Sequence, residues 1–115
     1  MKKFVYILKR LKDEDSTAQL RFLNYKNAQR FGGVKLSNYF SAAGGTIRAA
    51  NEEAACEKLY WLYNRDERPA GYTGRSMSVS DIVELWDNSE AEPTKTIWYC
   101  DSIGFQQIDE AGNKI

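Results

Sequence analysis

No histidine occurs in the 115 residues, and that absence removes the commonest general base and the commonest metal ligand together. Cysteine is nearly missing too. Cys56 and Cys100 stand far apart and form no CxxC pair, which excludes a zinc spacing and a dithiol redox motif. Small secreted domains are usually richer in cysteine, so two buried free thiols are expected here rather than a disulfide. No long hydrophobic run exists. The N-terminal Phe4-Val5-Tyr6-Ile7-Leu8 stops at Lys9 and Arg10, short of the roughly 7–15 apolar residues of a secretion signal and the roughly 20 of a membrane span. The expectation is a soluble, cytoplasmic protein with no membrane contact.

Excess charge of one sign is also lacking: 16 basic residues face 16 acidic ones. The balance hides an asymmetry. Residues 1–50 carry ten Lys/Arg against three Asp/Glu, and residues 51–115 carry six against thirteen, a net of +7 and −7. Either the halves pack together and neutralise each other, or the basic half presents a surface to a polyanion. What is present in quantity is apolar and aromatic side chain, 43% and 13% of the chain. That is enough for a core in one domain spanning residues 1–115, with no linker, repeat or low-complexity tract to divide it.

The pattern along the chain predicts an α+β fold: a mainly antiparallel sheet, one principal helix near 51–63 packed on one face, and a short helix near 24–31. Phe4–Leu8 reads as a first strand and Leu20–Leu23 as a second short one, with the charged stretch around Asp13–Ser16 as a solvated turn. Asn24 caps a brief helix carrying Tyr25, Ala28 and Phe31, which Gly32-Gly33 ends. Gly44-Gly45 is read as another break. Asn51 caps the principal helix, Glu52 and Glu53 suit its positive end, and Ala55, Leu59 and Leu62, widened by Cys56 and Tyr63, form its apolar stripe. Residues 64–74 read as a loop. Ser78–Trp86 and Thr96–Cys100 read as a hairpin around a polar loop, with a last strand ending near Ile108 and a frayed tail over 109–114.

Candidate chemistry concentrates in two polar segments. Ser76, Ser78 and Ser80 precede Asp81, but a nucleophilic serine needs a base within reach, and neither a histidine nor a Ser-x-x-Lys spacing supplies one. Such side chains also bond local backbone where a chain turns into a strand. Asp81 and Asp101 are expected at the same end of the hairpin. With Glu84 they form a candidate acidic site for a metal ion or acid–base work; alternatively each caps a loop or pairs with Arg75. Gly44-Gly45-Thr46 and Gly71-Tyr72-Thr73-Gly74 lack the Gly-Lys-(Ser/Thr) ending of a phosphate loop and read as turns. The basic half carries Phe4, Tyr6, Phe22, Tyr25, Phe31 and Tyr39; beside Lys/Arg these residues suit nucleic acid, but in a domain this small they are expected in the core.

The paired segments Gly74-Arg75-Ser76-Met77-Ser78-Val79-Ser80-Asp81-Ile82-Val83 and Tyr99-Cys100-Asp101-Ser102-Ile103-Gly104-Phe105 resemble the YodL-like domain family. The likeness extends upstream through Asn38-Tyr39, the helix end from Leu59-Tyr60 to Asn64, and Pro69. Ile103 stands where the family usually has an aromatic. The 87–95 loop lacks the Asn-Gly turn of many relatives. The resemblance implies a single domain, common in bacteria and mobile elements, and no family-wide enzymatic activity. The expected function is therefore non-enzymatic: a protein-interaction or inhibitor-like module with a protein partner and no cofactor. Nucleic-acid binding through the basic half and a metal or hydrolytic site at Asp81/Asp101 are the alternatives.

Overall fold

The N-terminal apolar run is the middle of a longer strand, β1 (Lys2–Leu11), in a computed structural model that describes residues 1–69, 71–89 and 91–115. Phe4, Tyr6 and Leu8 are buried on one face of β1, while Val5, Ile7 and Lys9 are half-buried on the other, the two-residue period of a strand. Among the described residues four further strands join it: β2 (Tyr39–Ala49), β3 (Ile82–Asp87), β4 (Thr94–Cys100) and β5 (Phe105–Ile108). Their order is β2-β1-β3-β4-β5, and every neighbouring pair is antiparallel. The α+β class, the β3–β4 hairpin and the short last strand follow the sequence reading.

The principal helix, α3 (Glu52–Asn64), covers one face. The Asn51 side chain accepts the Ala54 N–H at 2.9 Å, and Glu52 and Glu53 occupy the first turn. Ala55, Cys56, Leu59 and Tyr63 are buried against Phe4, Tyr6, Leu8, Val83 and Leu85. Each large apolar side chain buried there contributes about 1.5–3 kcal/mol. Tyr6 and Tyr63 satisfy each other's hydroxyls at 2.7 Å. Both cysteines are free and lie in this core. Burial pushes the Cys100 thiol up to about 12 and raises Cys56 further.

The opposite face carries a smaller core around Leu11, Tyr39, Ile82 and Tyr99, joined by Leu20 just beyond the short helix α1 (Asp15–Ala18), Ala28 of α2 (Tyr25–Arg30) and Leu36 of a tight turn at Leu36–Asn38. Asn24 caps α2, accepting the Asn27 N–H at 2.8 Å, and Gly32 and Gly33 follow it at φ 98° and 81°. With both faces covered, Ile82, Val83, Glu84 and Leu85 are all buried. The basic and acidic halves meet across β1 and β3: Lys2 with Asp87 at 3.2 Å, Lys9 with Glu84 at 3.4 Å and Arg10 with Asp81 at 3.6 Å.

Several elements differ from expectation. Leu20–Leu23 is a turn, because Leu20 is drawn into the core beside Leu11 rather than into a ladder. The polar stretch after Lys12 winds into α1. Gly44-Gly45 lies inside β2: the Tyr6 ring covers Gly45 so closely that a Cβ there would sit 3.2 Å from the Tyr6 hydroxyl. β3 starts at Ile82, since Ser78–Asp81 closes a turn through the Asp81 N–H and the Ser78 carbonyl at 3.1 Å. The tail is tied down. The Asp109 carboxylate accepts the N–H groups of Ala111 and Asn113, and Tyr25 donates to the Gly112 carbonyl at 2.8 Å. Ala70 and Glu90, in the two expected loops, lie outside the described residues.

Candidate functional site

The two polar segments meet at the end of the β3–β4 hairpin. Ser80 donates its N–H to the Cys100 carbonyl at 2.9 Å, and Cys100 donates to the Asp81 carbonyl at 2.8 Å. Asp81 is fully buried. Its carboxylate accepts the Ser78 N–H at 2.8 Å and Arg75 Nη2 at 2.9 Å, with Arg10 Nε at 3.6 Å. Burial pushes the Asp81 carboxyl above the usual range, against the pull of the Ser78 N–H, Arg75 and Arg10. Burial lowers the Arg10 guanidinium, opposed by Asp81. Two cations around one buried carboxylate lock the loop onto the start of β3.

The serines are committed to the same scaffold. Ser76 Oγ accepts Arg68 Nη2 at 2.6 Å, and Ser78 Oγ donates to the Ser76 carbonyl at 3.3 Å. Ser80 Oγ accepts the Phe22 N–H at 3.1 Å, while the Ser80 carbonyl accepts the Tyr39 hydroxyl at 2.7 Å. Asp101 turns to a different task. Its Oδ1 accepts the Tyr25 N–H at 3.1 Å and the Ser102 N–H at 2.9 Å, holding the start of α2 against the β4–β5 turn. Glu84 faces Lys9 and Lys95 at 3.4 and 3.3 Å. The carboxylates of Asp81, Asp101 and Glu84 thus serve separate partners. Among the described residues no group of three or more Cys, Asp or Glu is placed to hold a metal ion.

What this scaffold presents outward is aromatic and cationic. A cleft of about 300 Å³ opens between β1, the 21–22 turn and Arg75, lined by Arg10, Arg21, Phe22, Phe40 and Arg75 with Asp13 and Leu11. Phe22 is 60% exposed and Phe40 47%. The Arg75 guanidinium stands 5.6 Å from the centre of the Phe22 ring, and Arg21 pairs with Asp13. Phe22 adopts φ 62° and Ser80 φ 84°, the left-handed region that side chains other than glycine seldom occupy. Such outliers collect where the surrounding structure imposes them, often at sites of function. Phe22 and Phe31, expected in the core, are outside it. Their segment is held by its backbone rather than by these rings.

Sequence reasoning found Arg75 and its partner Asp81 but missed Arg10, Phe22 and Phe40 as neighbours. Strand pairing brings Arg10 beside Phe40, and the Ser80 hydroxyl holds the backbone of Phe22, which carries no local signal for its conformation. A second cleft, of about 270 Å³, lies between Tyr60 of α3 and the β4–β5 turn, bordered by Val79, Asp101 and Phe105. Its carboxylate at Asp101 is engaged with α2.

Among the described residues no helix is long and apolar enough to cross a membrane. A family model described as YodL-like domain matches residues 5–110. No curated protein matches the chain, and no solved structure does.

Proposed function

The chain belongs to the YodL-like domain family, and we propose that it acts as a non-enzymatic protein-interaction or inhibitor-like module of the bacterial cytoplasm, encoded in a bacterial or mobile-element genome. It works by presenting a surface, and that surface is the Phe22–Phe40–Arg75 cleft. One observation carries the reading: Phe22 is held in a left-handed backbone with its ring largely in water beneath Arg75. Phenylalanine and arginine are both enriched in protein–protein interfaces, where aromatic area and a planar cation are desolvated together. The serines and Asp81, the groups that offered chemistry, support this surface from behind.

The test is affinity capture from host lysate at micromolar concentration, comparing the native chain with Phe22→Gly and Phe40→Ser. A protein retained by the native chain and released by either variant is the expected result. Capture of nothing, or capture indifferent to both variants, defeats the proposal. Nuclease treatment and a salt titration separate the nucleic-acid alternative. Binding through the basic half would vanish with nuclease and weaken steeply as salt rises.

A further inference from the structure

Among the described residues β2 forms one edge of the sheet, and no strand pairs with its outer side. Lys3 and Arg48 are opposite one another across β1 and β2, and the Lys3 carbonyl accepts the Asn88 N–H at 3.0 Å on the β3 side. In an antiparallel ladder the N–H and C=O of one residue point the same way, so Arg48 faces away from β1, and by alternation so do Thr46 and Gly44. The Arg48 carbonyl bears this out by accepting Lys58 Nζ at 3.1 Å. Among the described residues nothing comparable caps Gly44 or Thr46.

Natural edge strands are usually short, charged, bulged or covered. β2 has eleven residues, its first charged residue is Arg48, and Gly44, Gly45 and Thr46 are exposed. Its one irregularity lies before Ala43. Beside this edge runs α3, where Lys58, Trp61 and Leu62 share a side at helical spacing. Leu62 and Lys58 border a groove with Thr46 and Ile47, and Trp61 is 58% exposed.

We propose that β2 is a dimerisation edge, which a second copy of this chain extends by antiparallel pairing about a two-fold axis at Gly45. Gly44 of one copy then exchanges both backbone hydrogen bonds with Thr46 of the other. Arg48 falls opposite Ala42, so the two like charges stay apart. The chain's zero net charge sets up no long-range repulsion between copies. Trp61 and Leu62 of each copy flank the junction, supplying the apolar area that a bare ladder lacks. The choice of a second copy over an extended peptide rests on this self-complementarity of strand and charge.

Analytical ultracentrifugation of the full chain from micromolar to millimolar concentration reads the outcome. The native chain is expected to sediment as a reversible dimer of the 13.2 kDa protomer. Thr46→Pro removes the outward N–H and is expected to weaken the dimer roughly tenfold or more at unchanged circular dichroism. Thr46→Lys, which keeps the backbone intact, is expected to weaken it as well and decides the matter where the proline variant misfolds. A native chain that stays monomeric throughout, including one whose edge instead takes up an added peptide, overturns the proposal. So does a dimer that neither variant disturbs.

Discussion

Phe22 and Ser80, the two non-glycine residues with positive φ among the described residues, are hydrogen-bonded to each other: the Phe22 N–H donates to Ser80 Oγ at 3.1 Å. Two strained turns, 58 residues apart in sequence, therefore hold one another in place. Ser80 is buried and fixed by Cys100 and Tyr39, so it is the anchor. Phe22 is the element presented. A left-handed backbone costs a side chain about 1–2 kcal/mol relative to glycine.

Phe22→Gly should accordingly keep or raise stability, by up to about 1 kcal/mol, because the exposed ring contributes little packing and glycine accepts the turn freely. Urea denaturation checks this. A loss above about 1 kcal/mol would mean that the ring supports the fold and is not held out for a partner.

Asp81→Ala should be the most damaging of the carboxylate substitutions. It leaves Arg10 buried without its counter-charge, and breaking a buried pair from one side costs about 3–5 kcal/mol. Asp101→Ala removes only the bonds to Tyr25 and Ser102 and should cost about 0.5–2 kcal/mol, as for a lost helix cap. Equal losses in thermal or urea unfolding would contradict the division of labour between the two aspartates.

Cys56 and Cys100 should resist a thiol reagent in the native state. Both are buried and held as neutral thiols, and only the thiolate reacts. Native labelling at pH 8 is expected to be slow and to become complete in denaturant. Rapid labelling of either cysteine at pH 8 would place it outside the α3 core.

Asp87 gives a pH dependence with a definite sign. The Ser89 hydroxyl and N–H, with Lys2, hold its carboxyl below the usual range. Its contribution is fully present above the unfolded value of about 4 and is lost as pH falls through the lower folded value. Asp87→Asn should flatten the fall in stability on acidification. A slope identical to that of the native chain between pH 6 and 2.5 would show that these bonds do not persist in solution.

Much of this arrangement is legible in the sequence where one residue's chemistry settles its surroundings. Asn24 and Asn51 announce helix starts, the Ala55–Leu59 stripe announces the face it buries, and Arg75 lies close enough to Asp81 to suggest the pair. Legibility fails where distant residues decide. Gly44-Gly45 has the composition of a break, yet it continues a strand because the Tyr6 ring arrives from β1 to cover it. The polar tail suggests fraying, yet Asp109 folds it into a turn and Tyr25 pins it. Phe22 has the composition of core, yet its backbone is set by a serine in the other half of the chain.

The pinning of the 22–25 segment has a temporal consequence. Its anchors are Ser80, Tyr99, Asp101 and Gly112, made 58 to 87 residues after the groups they hold. The six-residue α2 is too short to persist unaided. A chain emerging from the ribosome must therefore carry Phe22 loose until the hairpin and the turn at Gly112 have followed it out, so the cleft takes shape only once those later segments have folded.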